Sequence, residues 1–599
     1  MEDQVTISEY LFLRLAQLGA GSVHGVPGDY NLAALDYVTR TGLRWVGNAN
    51  ELNAGYAADA YARVKGIGVL FTPFGPGELS ALNAIAGAYA EKAPVVHIVG
   101  TPPRWTQKAG TRVHHSLGDG NFSVFADMYK AVTVAQADLS NPATAVDLID
   151  LTLQQCILHS LPVYFTLPAD MALVKVPVPT ASINVENPDY HKHSEDQAVE
   201  VLIANLQNSK RPLLLVDGLT ARFRVRQELN QLVRLTGIPT LATPFGNGLV
   251  DSSYPNYHGI YHGQAGPDDH FTWVQGCDLV LRFGPLDSDL NTFAFTTLPN
   301  AKVTVTFDKF NVHFGEDLKG QVKDHGRQSI KSLLRSLLLR LKDLNLPTPE
   351  AFPHNPSSPQ ELLKIRPLQP DEVKIDQDNF WLRMSEFLKP GDHVMLETGT
   401  ALHGGLDIAL PDDCTVTWSA IWGSIGYMLA GAQGASLAHR ELVEQGVKSR
   451  GRTILFEGEG SLQMAAQAIS DMIRNKLDVT IFILNNNGYT IERLFHGFDE
   501  GYNDIQPWRY LEGALYFGAP LTDSHYPVIN KRAGTWGELL SALQDPEVQK
   551  GKGLTMVEVI MDADDFPTSL RTFGEVYMEK QKKLMKENSI VGKLFLKIP

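Results

Sequence analysis

The chain reads as an α/β protein built from three doubly wound parallel-sheet domains. Short apolar runs of strand length alternate with longer runs of helical spacing along nearly the whole sequence, the pattern of a parallel sheet covered on both faces. The 599 residues allow three or four separate cores. Two stretches interrupt the alternation: a polar one around residues 180–193, and 347–359, where five of thirteen residues are proline. The expected bounds are 1–185, 195–345, a connector 346–370, 371–562 and a tail 563–599.

Each element rests on local signals. Thr6-Ile7-Ser8-Glu9 fits a capping box for a helix over residues 10–18. Val23 to Val26 predicts a strand closed by Pro27-Gly28, with Asp29 in the turn. A helix over 32–38, a strand near Trp45 and a helix over 54–64 follow. Strands over 68–71 and 95–99 flank a helix over 79–90, and a helix over 144–159 precedes a strand over 162–167. The second domain has predicted strands over 212–216, 239–242, 279–283 and 303–307, then a helix over 330–341. In the third, helices over 380–388 and 426–439 accompany strands over 393–396, 453–456, 479–484 and 555–560. Residues 461–473 have the apolar spacing of one continuous helix, and 574–586 predicts a helix in the tail.

Composition excludes several classes. Apolar content of 44% and charged content of 20% are globular values, and a net charge of −15 argues against nucleic acid as a partner. No apolar run reaches the roughly 18 residues a bilayer span needs. Cys156, Cys277 and Cys414 are too few and too scattered for a disulfide framework, and read as small buried apolar residues. The acidic N-terminus lacks a signal core, and the C-terminal LKIP is no peroxisomal address. A cytoplasmic setting is the expectation.

The richest stretch runs from Gly458-Glu459-Gly460-Ser461 to Asn485-Asn486-Asn487-Gly488. An apolar strand ends in a Gly-x-Gly turn, where missing Cβ atoms let backbone N–H groups approach a phosphate. The carboxyl of Glu459, the amide oxygen of Asn486 and the carbonyl of Gly488 are hard oxygen ligands. They suit Mg²⁺ shared with a diphosphate. Taken alone, the stretch is equally a plain strand-turn-helix-strand unit.

The words GEGSLQMAAQAISDMIRNKL and FILNNNGYTIERLFHG resemble the cofactor motif of thiamine-diphosphate enzymes, and among these the pyruvate decarboxylase branch of fungal type. The resemblance extends from about Thr6 to about Ile560. It implies thiamine diphosphate and Mg²⁺ as cofactors, with Glu459, Asn486 and Gly488 on the metal. Thr398 and Thr400 in ETGT, Gly423, Ser424 and Ile425 in WGSIG, and Glu459, Gly460, Ser461 and Asn486 would hold the cofactor. Ile425 would prop it in a bent shape.

The words WVGNANELNAGYAADAYARVKG imply that Glu51 hydrogen-bonds the aminopyrimidine, which then removes a proton from the thiazolium. Asp29 in GVPGDYNL, His114 and His115 in TRVHHSLGDG, and Glu492 in GYTIERL match the family's proton-handling groups. Each alone has a plain alternative: a cap, a polar loop or a solvated charge. Substrate would lie against Asp29, His115, Phe295 and Glu492, with Thr398, Ile491 and His403 nearby.

Three departures stand out. Glu459 replaces the family's aspartate, an imidazole at His403 replaces an apolar aromatic ring, and Leu219 and Thr220 lack the regulatory thiol of some yeast enzymes. The implied activity is non-oxidative decarboxylation of a 2-oxo acid, foremost pyruvate, to an aldehyde and CO2. The alternatives are an aromatic or indole 2-oxo acid decarboxylase and, from another class, a non-catalytic structural protein that kept the fold. A carboligase fits the paired histidines less well. Family architecture implies a homodimer or homotetramer in which the first domain of one subunit faces the third domain of another.

Overall fold

The computed structural model describes residues 4–185, 190–320, 322, 326–520, 522 and 525–587. The expected tail beyond 587, with its LKIP end, and part of the first linker lie outside the described residues.

Three six-stranded sheets form the frame. The first runs, in space, Arg44–Gly47, Ser22–Gly25, Gly68–Pro73, Val95–Thr101, Val163–Pro168, Ala135–Asp138, all parallel. The third runs Thr415–Thr417, His393–Leu396, Thr453–Gly458, Val479–Asn485, Leu554–Ile560, Val528–Ala533, again all parallel. Numbered by their own sequence, both follow the order 2-1-3-4-6-5. The first and third domains thus repeat one topology without repeating sequence. The central sheet runs Tyr257–Ile260, Thr240–Ala242, Pro212–Val216, Leu279–Phe283, Thr304–Phe307, Val312–Phe314. Its last strand is antiparallel, which departs from the all-parallel expectation at one edge.

In an open α/β sheet, ligands collect outside the carboxyl ends of strands where the order reverses. In the first sheet that point lies between Ser22–Gly25 and Gly68–Pro73. In the third it lies between His393–Leu396 and Thr453–Gly458. The turns there are Pro27 to Asp29 with Pro73 to Gly77, and Glu397 to Thr400 with Gly458 to Ser461. The fold alone thus brings most of the suspected residues to two equivalent crevices.

Helices α1 (Glu51–Lys65), α2 (Pro76–Ala90), α3 (Tyr427–Glu444), α4 (Glu459–Ala465), α5 (Ala468–Arg474), α6 (Thr490–His496) and α7 (Thr568–Glu587) surround these crevices. Helix α1 of the first domain crosses α3 of the third. Small residues make the crossing close: a Cβ on Gly434 would strike the carbonyl of Ala57, and one on Gly431 would lie 3.2 Å from Ala60. The interface is therefore fixed by backbone proximity as well as by apolar burial.

Several elements differ from expectation. The helix expected over 461–473 starts at Glu459 and breaks into α4 and α5. Ile469 N and Ser470 N bond back three residues, to Ala466 and Gln467, so the hydrogen-bond register changes while the apolar spacing continues. Glu51 does not precede its helix but opens it, because Asn50 is the cap and accepts from Asn53 N at 2.8 Å. The helix expected over 32–38 is shortened to Leu32–Leu35 by three-residue turns at Tyr37 and Val38. Thr6 caps its helix through Glu9 N at 3.1 Å, half of the expected capping box. Val528–Ala533 escaped the pattern because it is an edge strand carrying exposed Asn530 and Arg532 on a half-buried run. The cysteines are free and buried, as expected.

Candidate active site

The first crevice holds Asp29, His114, His115 and Glu51. Gly28 lets the turn carrying Asp29 close on Pro73, whose Cβ would lie 2.7 Å from a Cβ at that glycine. Asp29 Oδ2 lies 2.7 Å from His114 Nε2, and Tyr30 stacks flat on the His114 ring at 4.9 Å. The two imidazoles meet edge to face at 4.9 Å. His115 sits in the left-handed region at φ 66°, a conformation a non-glycine residue holds only where its surroundings impose it. Among the described residues its buried Nδ1 has no hydrogen-bond partner.

The N-terminus of α2 ties Glu51 to this group. A Cβ on Gly75 would strike the His115 carbonyl, and one on Gly77 would lie 2.9 Å from Glu51 Oε1. Both glycines are needed for the close approach, and neither was singled out from the sequence.

The second crevice gathers oxygen ligands. Glu459 is 2% exposed, and its Oε1 accepts from Gly488 N at 2.7 Å. The Asn486 side-chain amide lies beside both, its N–H groups reaching the Gly488 carbonyl at 2.8 Å and Glu459 Oε1 at 3.3 Å while its oxygen accepts from Thr490 Oγ1 at 3.0 Å. Turned the other way, the same amide would bring its oxygen to the carboxyl and the carbonyl, a set of hard oxygen donors that fits Mg²⁺. Burial pushes the Glu459 carboxyl up to about 7, against the pull of backbone N–H groups from Gly488 and its neighbours. The longer side chain in place of aspartate is accommodated.

Gly488 has φ 134°, and a Cβ there would lie 2.5 Å from the Asn503 carbonyl. Gly488→Ala is therefore expected to cost about 1–3 kcal/mol through local strain and to weaken Mg²⁺ binding. Denaturant melts and metal titration of the variant check this; unchanged metal affinity would count against the loop as the metal site.

The remaining cofactor candidates line the same end of the third domain. Thr398 N donates to Glu397 Oε1 at 2.7 Å, and Thr400 starts a short helix. Ser461 is buried in the first turn of α4, and a Cβ on Gly460 would lie 2.7 Å from the Tyr489 ring. Ser424 Oγ is 2.7 Å from Tyr56 OH on α1 and 3.1 Å from Asn83 Nδ2 on α2. Gly423 has φ 60°, and Ile425 stands 42% exposed at the head of α3. Glu492 is exposed in the first turn of α6.

Phe295 closes a run of three left-handed residues, Phe293 to Phe295, with Lys580 of α7 bonded to the Ala294 carbonyl. His403 is 3% exposed, lies 4.9 Å from the Phe573 ring and has an Nδ1 with no partner among the described residues. Burial drives its pKa down to about 4, so the ring is neutral at physiological pH. Ile491 packs into the apolar cluster of Phe293, Leu406, Leu570 and Phe573.

No local motif marks Glu91. It is wholly buried at the C-terminal end of α2, and its Oε1 accepts from Ser419 Oγ (2.6 Å), Ala420 N (2.8 Å), Ile421 N (3.1 Å) and Trp422 N (3.2 Å). Its Oε2 meets Arg63 Nη1 at 2.7 Å. This carboxyl from the first domain fixes the segment leading into Gly423 to Ile425. The available hint was an acid at the negative end of an apolar helix, where the dipole disfavours it. Glu457, also missed, is fully buried, and among the described residues neither carboxyl oxygen has a partner. Burial, with Glu397 nearby, holds its pKa well above the usual range.

Among the described residues no hydrogen bond or ion pair joins the Asp29–Glu51 group to the Glu459–Gly488 group.

Comparison with known proteins accounts for all three domains. Residues 5–123 match the family model described as thiamine pyrophosphate enzyme, N-terminal TPP binding domain; 199–327 match the central domain, and 403–558 the C-terminal TPP binding domain. The chain is 43% identical to a pyruvate decarboxylase of Aspergillus parasiticus over 95% of its length and 96% of that protein. It is 40% identical to a pyruvate decarboxylase of Aspergillus fumigatus (96% and 98% covered) and 37% to pyruvate decarboxylase isozyme 3 of Saccharomyces cerevisiae (95% and 97%). With two crevices of matching topology, a converging oxygen set and this similarity along almost its whole length, the chain belongs to the thiamine pyrophosphate enzymes, in the group of the fungal pyruvate decarboxylases.

Proposed function

We propose that the protein is a thiamine-diphosphate- and Mg²⁺-dependent decarboxylase that converts a 2-oxo acid, foremost pyruvate, to an aldehyde and CO2 without an oxidant. One observation carries the reading: Asp29, His114 and His115 form a single cluster beside Glu51. Binding the cofactor needs only Glu51 and the metal loop. The clustered carboxyl and imidazoles add the means to hold and deliver a proton, which aldehyde release requires.

When bound, the cofactor supplies a carbon nucleophile and an electron sink. The chain's own residues do the rest. Glu459, Asn486 and Gly488 would hold Mg²⁺, and Thr398, Gly460, Ser461 and the 423–425 segment would seat the cofactor. Glu51 would hold a proton at its carboxyl oxygen. Asp29 keeps the His114 Nε2 proton in place, His115 Nδ1 is free to accept or donate one, and Glu492 would serve from the third domain. The apolar wall of Ile491, Phe573 and Phe293 would exclude water, which favours loss of a carboxylate whose charge is neutralised as CO2 leaves.

The two crevices would complete each other between subunits. We read the working unit as at least a homodimer, with Glu51 of one chain serving the metal loop of another. Support comes from Ile421, Trp422, Ile425 and Met464, large apolar residues left between 42% and 62% exposed around the cofactor segment. No helix among the described residues is long and apolar enough to cross a membrane, and the three free thiols suit a reducing cytosol.

A panel of 2-oxo acids tests the reaction. Stoichiometric aldehyde and CO2 from pyruvate, dependent on both cofactors, is the expected result. No turnover with any 2-oxo acid at saturating cofactor would instead favour a structural protein. The neutral His403 with its unpartnered Nδ1 gives a second reading some footing, a larger aromatic 2-oxo acid, and the ratio of kcat/KM for phenylpyruvate and indolepyruvate to that for pyruvate decides it.

A further inference from the structure

Away from both crevices, a cavity of about 460 Å³ opens outside the carboxyl ends of the central strands Thr240–Ala242 and Tyr257–Ile260. The connector and the third domain close it, and the first turns of α7 line one side through Thr568, Ser569 and Thr572. Its size and its place suit a small ligand.

Arg226 pairs with Asp251 and Asp413 at one end of it, whereas the charged groups nearer α7 are poorly matched to one another. The Arg366 guanidinium reaches only the Asn379 amide oxygen, at 3.4 Å, and makes no ion pair among the described residues. Among the described residues Asp407 likewise has no ion pair, and Asp378 accepts only from Thr568. Burial pushes the Asp407 carboxyl up to about 7, and Asp378 adds to the rise. Ser569 and the more distant Arg366 only partly offset it. His270, 7% exposed, lines the same cavity, and its Nε2 has no partner among the described residues. A guanidinium and two half-buried carboxyls in one cavity, beside the apolar Leu382 and Leu406, complement a zwitterion with an apolar side chain.

We propose that this cavity binds a free α-amino acid, its ammonium group between Asp378 and Asp407 and its carboxylate on Arg366. The ligand would sit against α7 within a turn of Phe573, which packs on His403. That makes the site an effector site distinct from the substrate pocket.

Calorimetric titration of the full-length protein with a panel of common amino acids tests this. The signal is heat of binding, so the outcome does not depend on which 2-oxo acid is turned over. Saturable binding of an apolar amino acid such as leucine is expected. The analogues 3-methylbutylamine and 4-methylpentanoate, each lacking one charge, should bind about ten- to a hundred-fold more weakly, the effect of losing one charged hydrogen bond. Asp407→Asn and Arg366→Gln should show the same loss, and the analogue series on the unaltered protein keeps the test free of any folding defect in a variant. No heat with any amino acid, or equal affinity for leucine and both analogues, would overturn the proposal.

Discussion

Glu51→Gln is expected to lower kcat by about 10²–10⁴-fold while leaving thiamine diphosphate and Mg²⁺ affinity nearly unchanged. The substitution keeps the side-chain shape beside Gly77 and removes only the ability to hold a proton. Among the described residues Glu51 accepts no hydrogen bond, and the cap of α1 comes from Asn50 rather than from Glu51. Losing one charge from the first turn costs about 0.3–1 kcal/mol through the helix dipole, too little to unfold a chain of this size. The decisive form mixes two inactive proteins, Glu51→Gln and Glu459→Gln. If each site is shared between subunits, a mixed dimer has one site carrying both changes and one carrying neither. Activity should then reappear on mixing and subunit exchange. If Glu51 serves the metal loop of its own chain, every site in the mixture is damaged and no activity returns. Retention of most turnover by Glu51→Gln alone would remove this carboxyl from the proposed chemistry.

The frame of this protein could be read from its residues because strand and helix periodicities were unbroken where the sheets are buried. Thr453 to Phe456 and Val479 to Leu484 have no exposed side chains in the structure, so a plain apolar run located them. The metal loop could be read for a related reason: its glycines, acid and asparagine lie in contiguous words, and local sequence carries all the information.

Other features depend on contacts the sequence does not bring near. Glu91 meets Ser419 to Trp422 across more than 300 residues, and nothing local distinguishes it from a solvated charge. The break between α4 and α5 is a change in hydrogen-bond register, to which apolar spacing is blind. Gly75 and Gly77 matter only because His115 and Glu51 arrive beside them from other parts of the chain. Residue type suggested which groups could do chemistry; the matching 2-1-3-4-6-5 order of the two sheets explains why they gather in two crevices.

Glu91→Ala should be the most destabilising single change at the seam between the first and third domains, by about 3–5 kcal/mol. The carboxyl is wholly buried and serves four donors from the 419–422 segment as well as Arg63. Removing it leaves three backbone N–H groups and a hydroxyl without an acceptor. It also leaves Arg63 with Asp59 alone, at 2.5 Å, and Arg222 of the central domain loses a nearby counter-charge. Glu91→Gln retains an acceptor oxygen and should fall between the two. Although burial pushes the carboxyl up, Arg63 and the hydrogen bonds from Ser419 and Ile421 bring it below the usual range. Its folded pKa is thus lower than its unfolded one. The stabilisation it gives is complete above the unfolded value of about 4.3 and is lost as pH falls through the lower folded value. Urea melts at pH 7 should separate the wild type from Glu91→Ala by the stated amount, and the gap should narrow in acid. Because the same segment leads into Gly423 to Ile425, the alanine variant should also bind thiamine diphosphate more weakly. A variant that melts with the wild type at pH 7 and keeps its cofactor affinity would show that the seam is held by the packing of α1 on α3, with the buried carboxyl adding nothing.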